Sequence, residues 1–174
     1  MEKPKILITR EQIAQRISEL AAQIREDYRD RNPLLICVLK GSFVFMSDLI
    51  RALGIPMEID FIKVTSYGSG TTTSGKVAGF HGLKAWLGDR DILIVEDIVD
   101  TGLSMRFLID LLRRRKPASL KVCALLDKPS RRKTPIHIDY LGFTVPDKFV
   151  VGYGTDFAEK YRYLPDICYV EEDK

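Results

Sequence analysis

Ile92-Leu93-Ile94-Val95-Glu96-Asp97-Ile98-Val99-Asp100-Thr101-Gly102-Leu103-Ser104 is the stretch that decides the fold. Its first four residues are apolar throughout, as in a strand covered on both faces of a parallel sheet. Three carboxylates then fall within five residues, and a Thr-Gly turn leads into a helix over 103–116 with Met105, Leu108, Leu111 and Leu112 on one face. In α/β folds ligands gather where strands end in this way. The turn offers free backbone N–H groups, the Thr101 and Ser104 hydroxyls and the positive end of a helix dipole, which suit a phosphate monoester. The acids suit sugar hydroxyls, a hydrated Mg²⁺, or both. A helix cap needs only one acid, so capping does not account for two more on a buried strand.

The flanking sequence repeats the alternation. Ile13, Ile17, Leu20, Ala21, Ile24 and Tyr28 follow helical spacing over 9–30, and Thr9 with Gln12 fits a capping box. Leu34–Leu39 is a continuous apolar run between Pro33 and Gly41, which predicts a second buried strand. A helix over 42–53 is stopped by Gly54 and Pro56. Over 57–65, Met57, Ile59 and Phe61 alternate with Glu58 and Asp60, which predicts a strand with its polar face wet. Further strands are expected over 91–95, 120–126, 137–143 and 148–153. The expected fold is therefore α/β, a mostly parallel central sheet flanked by helices, with ligand loops after Leu39, Thr65, Val95, Leu126 and Val151.

Composition sets the limits. The chain has 174 residues, 45% hydrophobic and 29% charged, which fits one globular domain over 1–174. With 27 Lys plus Arg against 24 Asp plus Glu, the net charge of +3 demands neither nucleic acid nor an anionic membrane as partner. No apolar run approaches the ~20 residues of a spanning helix, and the opening residues lack a secretory apolar core. Three separated cysteines and two histidines leave no pattern for a zinc site or a disulfide framework. A soluble, cytoplasmic protein is the expectation.

One phosphate motif fails. Gly70-Thr71-Thr72-Thr73-Ser74-Gly75-Lys76 matches a nucleotide P-loop until Val77 stands where a Ser or Thr should reach Mg²⁺. No helical periodicity follows it, so the segment reads as a flexible surface hairpin, placed where a lid would lie.

The stretch 95–102, Val-Glu-Asp-Ile-Val-Asp-Thr-Gly, resembles the phosphoribosyl diphosphate (PRPP) motif of type I phosphoribosyltransferases. Leu39-Lys40-Gly41 resembles the pyrophosphate loop of the hypoxanthine-guanine phosphoribosyltransferases, and Ser66-Tyr67 the opening of their flexible lid. Lys128 stands where that family has its base-recognition lysine, and 146–153, Pro-Asp-Lys-Phe-Val-Val-Gly-Tyr, is similar to its purine-stacking segment. Asp156 and Arg162 keep the family's spacing beyond it. The matches run in order over most of the chain.

The resemblance implies attachment of hypoxanthine or guanine through N9 to C1 of PRPP, giving IMP or GMP and pyrophosphate. It also implies the type I fold with a small hood from the chain ends, Mg²⁺ as cofactor, and a homodimer or homotetramer. It places the 5′-phosphate at Asp100, Thr101, Gly102, Leu103 and Ser104, where Leu103 replaces a basic residue of some relatives. Glu96 and Asp97 would address the ribose hydroxyls, directly or through Mg²⁺. Asp100 would exchange a proton with purine N7, with capping of the following helix as its plainer role. Lys40, Gly41 and Arg162 would hold pyrophosphate, and Asp156 would add a contact on the purine and metal side. Lys128 would donate to O6, Phe149 would stack on the base, and the Val150 carbonyl would accept from the guanine amino group. Ser66 and Tyr67 would belong to the lid. The alternative is a nucleic-acid-binding regulator on the same fold, resting on the basic runs 113–116 and 131–133. Those runs otherwise read as a solvated helix end and a basic turn.

Overall fold

The computed structural model describes residues 3–66 and 77–171. Nine strands and three helices follow in the order β1 (Lys5–Ile8), α1 (Arg10–Asp27), β2 (Leu34–Leu39), α2 (Phe43–Leu53), β3 (Glu58–Ser66), β4 (Val77–His81), β5 (Asp91–Val99), α3 (Leu103–Arg113), β6 (Ser119–Asp127), β7 (Tyr140–Thr144), β8 (Phe149–Val151) and β9 (Ile167–Val170). The α1 start is the expected capping box: Thr9 Oγ1 accepts from the Gln12 N–H and Gln12 Oε1 from the Thr9 N–H. The α2 end is set by Gly54, whose φ of 56° lies in the left-handed region that glycine adopts freely.

The main sheet has the order β4-β3-β2-β5-β6-β7, parallel except for β4. The period of two along each strand divides the core. Leu35, Cys37, Leu93 and Val95 pack under α1 and α2, while Leu34, Ile36, Ile92 and Ile94 pack under α3 through Met105, Leu108 and Leu112. Each large side chain so buried contributes ~1.5–3 kcal/mol before the entropy of ordering it is subtracted. A second, antiparallel sheet β1-β9-β8 forms the expected hood. Its Ile8, Val150 and Ile167 join the α1–α2 side of the core.

Four expectations are corrected. β3 alternates, but the exposed face carries Ile59 (39% exposed) and Phe61 (45%), while Ile62 is wholly buried. Asp60 turns inward because its carboxylate accepts from the Phe61, Lys84 and Ala85 N–H groups. β5 runs to Val99 instead of Val95, because Ile98 and Val99 still pair with Leu126 and Asp127 of β6. Its ligand loop therefore begins at Asp100. β7 begins at Tyr140 instead of His137, because the Asp139 carboxylate accepts the Val122 N–H and so occupies a ladder position. β8 covers only Phe149–Val151 of the expected 148–153 and belongs to the hood; it stops where Gly152 and Thr155 bond to each other across a tight turn.

Residues 67–76 lie outside the described residues, and with them Tyr67 and the P-loop-like segment; Ser66 is described only as the last residue of β3. β3 and β4 pair as antiparallel neighbours. Among the described residues no helix is long and apolar enough to cross a membrane.

Candidate active site

Glu96 and Asp97 are successive residues of β5, so their side chains leave opposite faces of the strand. Glu96 is only 9% exposed and lies against Ser42, whose side chain is wholly buried. Ser42 Oγ is 2.5 Å from the Val38 carbonyl and 3.1 Å from Glu96 Oε1, and it accepts the Asp97 N–H at 3.2 Å. One hydroxyl proton serves one acceptor. A carbonyl has no proton to give, so both contacts are satisfied together when Glu96 carries its own. Burial, and after it the charge of Asp97, raise the Glu96 pKa well above the ordinary carboxylate range. Nothing local marks Ser42 for this role beyond its place as the residue before a helix.

Asp97 faces the loop after β2. A Cβ on Gly41 would come within 1.7 Å of Asp97 Oδ2, and a Cβ on Gly154 within 2.3 Å of the Gly41 carbonyl oxygen. Gly41 is thus wedged between β5 and the segment after β8, with a cis peptide bond joining Leu39 and Lys40 just before it.

At the end of β5 the chain turns through Gly102, with φ 83°, into α3. No side chain caps this helix, so Asp100 does not take the capping role. The Leu103 N–H reaches Thr101 Oγ1 only at 3.4 Å. The first turn of α3 therefore presents its amides outward, as an anion site requires. Asp100 Oδ1 is buried without a hydrogen-bond partner, and Arg131 Nε lies 3.5 Å away. The turn is braced from behind: Arg132 donates to the Asp100 and Val99 carbonyls, both at 3.0 Å, and to the Asp127 carboxylate. Arg132 was hidden in a run that reads as a solvated turn, and no local signal distinguishes it from its neighbours.

β6 ends beside this turn. Lys128 is 4% exposed, its N–H donates to the Val99 carbonyl, and its Nζ donates to the Lys148 carbonyl at 2.7 Å. That leaves two ammonium protons for another acceptor. Phe149, partly exposed, meets Phe157 edge to face at 5.0 Å between centroids. Val150 is buried and pairs with Tyr169 in the hood.

Asp156 and Arg162 meet directly: Arg162 Nη2 lies 2.8 Å from Asp156 Oδ1, and Nη1 donates to the Gly154 carbonyl at 2.8 Å. Glu159, not singled out from the sequence, bridges Arg162 and Lys40. Among the described residues no three acidic, histidine or cysteine side chains converge to hold an ion by themselves. Glu96 is engaged with Ser42 and Asp156 with Arg162, which leaves Asp97 as the acid facing the loop after β2.

A separate cavity of about 790 Å³ lies between α1, α2 and residues 153–165. It reaches Arg162 but none of Glu96, Asp97, Asp100 and Lys128, so these acids and Lys128 belong to the strand ends and not to this cavity.

A family model described as the phosphoribosyl transferase domain matches residues 6–158. The chain is 50% identical over 163 residues to a hypoxanthine-guanine phosphoribosyltransferase of Bacillus subtilis, covering 94% of this chain and 91% of that protein. A bifunctional TilS/HprT protein of Listeria innocua is 47% identical over 163 residues, which are 94% of this chain and 25% of that protein. A crystal structure of a hypoxanthine-guanine phosphoribosyltransferase from Bacillus anthracis, with a HEPES molecule in the active site, superimposes with a TM-score of 0.89 at 47% identity, covering 98% and 100% of the two chains.

Proposed function

The chain belongs to the phosphoribosyl transferase domain family, and from that premise we infer that it is a purine salvage enzyme. It transfers the 5-phosphoribosyl group of PRPP to N9 of hypoxanthine or guanine, giving IMP or GMP and pyrophosphate. One observation carries the reading. The ends of the adjacent strands β5 and β6 bring together an uncapped helix N-terminus, the Asp100 carboxylate, whose Oδ1 takes no hydrogen bond, and a buried lysine.

In this reading the amides and hydroxyls of Thr101 to Ser104 hold the 5′-phosphate. Asp97 meets the ribose hydroxyls, with Glu96 behind it as a neutral support. The Asp100 carboxylate takes or returns the purine N7 proton, a role typically worth ~10²–10⁴ in rate. Lys128 donates to O6. Adenine carries an amino group there, so donor would face donor and adenine is rejected. Phe149 stacks on the base and the Val150 carbonyl accepts from the guanine amino group. Lys40, the Gly41 backbone and Arg162 stabilise charge on the departing pyrophosphate.

Mg²⁺ fits the donor set, since every side chain offered is a hard carboxylate oxygen. Asp97 would hold the ion, since Glu96 is engaged with Ser42 and Asp156 with Arg162, and the ion would offset the leaving group's charge. The lack of a three-acid cage among the described residues suits a metal that keeps waters and phosphate oxygens as its other ligands. Residues 1–174 form one phosphoribosyltransferase domain and act in the cytoplasm. Exposed Phe43 and Tyr163, beside the α1–α2 cavity, offer apolar surface for a homodimer or homotetramer.

The test is steady-state kinetics with PRPP and four purines, with and without a chelator. Hypoxanthine and guanine should yield nucleotide only with PRPP and Mg²⁺, and adenine should not. Equal use of adenine, or no PRPP-dependent product, overturns the reading.

A further inference from the structure

The segment after β8 contains two tight turns in succession. Gly152 and Thr155 exchange both backbone bonds, and so do Phe157 and Lys160. The central pairs are Tyr153 with Gly154, and Ala158 with Glu159, and all four residues have positive φ. Such turns favour asparagine and glycine at their centres. Ala158 and Glu159, at φ 50° and 62°, sit there against steric preference, and strain of this kind concentrates where function needs a group in one place. The Glu159 N–H is pinned by Asp156 Oδ2 at 2.8 Å.

The strained turn presents a carboxylate to two cations. Glu159 Oε1 lies 2.9 Å from Lys40 Nζ and Oε2 lies 3.2 Å from Arg162 Nη2. Lys40 comes from the loop after β2, so the contact spans the crevice. Two oxygens on one centre, each facing a cation, match the demand of a phosphate group for the same pair. We propose that Glu159 is a built-in occupant of the diphosphate subsite: its carboxylate holds Lys40 and Arg162 in the free protein, and an incoming diphosphate displaces it. Binding then exchanges one anion for another, and after reaction the returning carboxylate helps expel pyrophosphate.

The neighbouring groups suit an exchange. Glu159 is 65% exposed on its side chain, so its carboxylate has water to swing into. Arg162 keeps Asp156 and the Gly154 carbonyl when Glu159 leaves, and so stays in position.

The proposal rests on assigning Lys40 and Arg162 to the diphosphate. Its test is calorimetric titration of the full chain with pyrophosphate in the presence of Mg²⁺. Glu159→Gln keeps the size and the turn while removing the charge, and should bind pyrophosphate roughly three- to tenfold tighter, the span two exposed ion pairs command. Its rate of pyrophosphate release should fall by the same factor. Glu159→Gly, which also relieves the backbone, should match it in affinity. Weaker or unchanged binding in both variants overturns the proposal and leaves Glu159 a positioning residue or an idle one. Lys40→Gln separates the two ideas. If it weakens pyrophosphate binding while the Glu159 variants do not strengthen it, the subsite stands and the proposal falls. If it leaves affinity unchanged, the subsite itself is wrong and the proposal falls with it.

Discussion

Replacing Glu96 with glutamine should stabilise the protein at neutral pH and flatten the dependence of its stability on pH. The folded chain favours the protonated form of Glu96, because the carboxyl is buried, and after that because it lies beside the Asp97 charge. In the unfolded chain it titrates near its ordinary value of 4.5. Between that value and the raised folded one, the folded state binds a proton that the unfolded state has lost. Stability contributed by this group therefore falls as pH rises, by about 1.4 kcal/mol per pH unit for a full proton. Glutamine is neutral in both states and escapes that slope. Below pH ~4 the two proteins should differ only by the changed hydrogen bonds, and above pH ~5 the gap should open in the variant's favour. Urea unfolding of metal-free protein across that range reads the effect directly. With a slope of ~1–3 kcal/mol per molar urea, each pH unit should separate the midpoints by roughly 0.5–1.4 M. Stability curves that run parallel from acid to neutral pH would refute the reasoning and return Glu96 to an ionised state.

Lys128→Met should lower kcat/KM for hypoxanthine and guanine by ~10- to 100-fold, the worth of a hydrogen bond from a charged donor, with PRPP affinity nearly unchanged; normal use of both bases would remove Lys128 from the pocket. Asp100→Asn should leave the melting temperature in place, since Asp100 caps no helix, and reduce kcat by ~10²–10⁴; a loss confined to the KM for PRPP would assign it to binding instead. Gly41→Ala forces the Asp97 carboxylate to turn away from a Cβ 1.7 Å distant. The KM for PRPP should rise more than that for hypoxanthine, and equal changes in both would contradict the proposed place of Asp97.

The parallel sheet was legible because β2 and β5 are apolar on both faces, a pattern set by local residues alone. The α1 cap was legible for the same reason, since Thr9 and Gln12 sit three residues apart. The acids of β5 and the Thr-Gly turn could be read as a candidate ligand site because strand, turn and helix N-terminus are contiguous. What stayed hidden depends on distant partners. Asp60 turns inward to meet the N–H groups of Lys84 and Ala85, and so leaves Ile59 and Phe61 exposed. Arg132 is spent on the Asp100 turn through the Asp127 carboxylate, and Glu159 faces Lys40 from across the crevice. None of these partners is near in sequence to all that it touches, so periodicity and spacing carry no trace of the contacts.

The hood also sets an order of assembly. Lys5 faces Tyr169 and Ile6 faces Cys168, so the first described strand made during synthesis pairs only with the last. The main sheet needs no such wait, because its strands find partners among residues 34–144. Contacts between distant segments are slow to form, and chains generally fold from the N-terminal side as they emerge. The turn at Asp100–Ser104, the proposed 5′-phosphate seat, thus has its sheet before the segment that carries Phe149 and Val150 has β9 to pair with. A nascent chain stopped short of Ile167 would retain the proposed seat for phosphoribose and lack the β9 partner of the strand proposed to meet the purine.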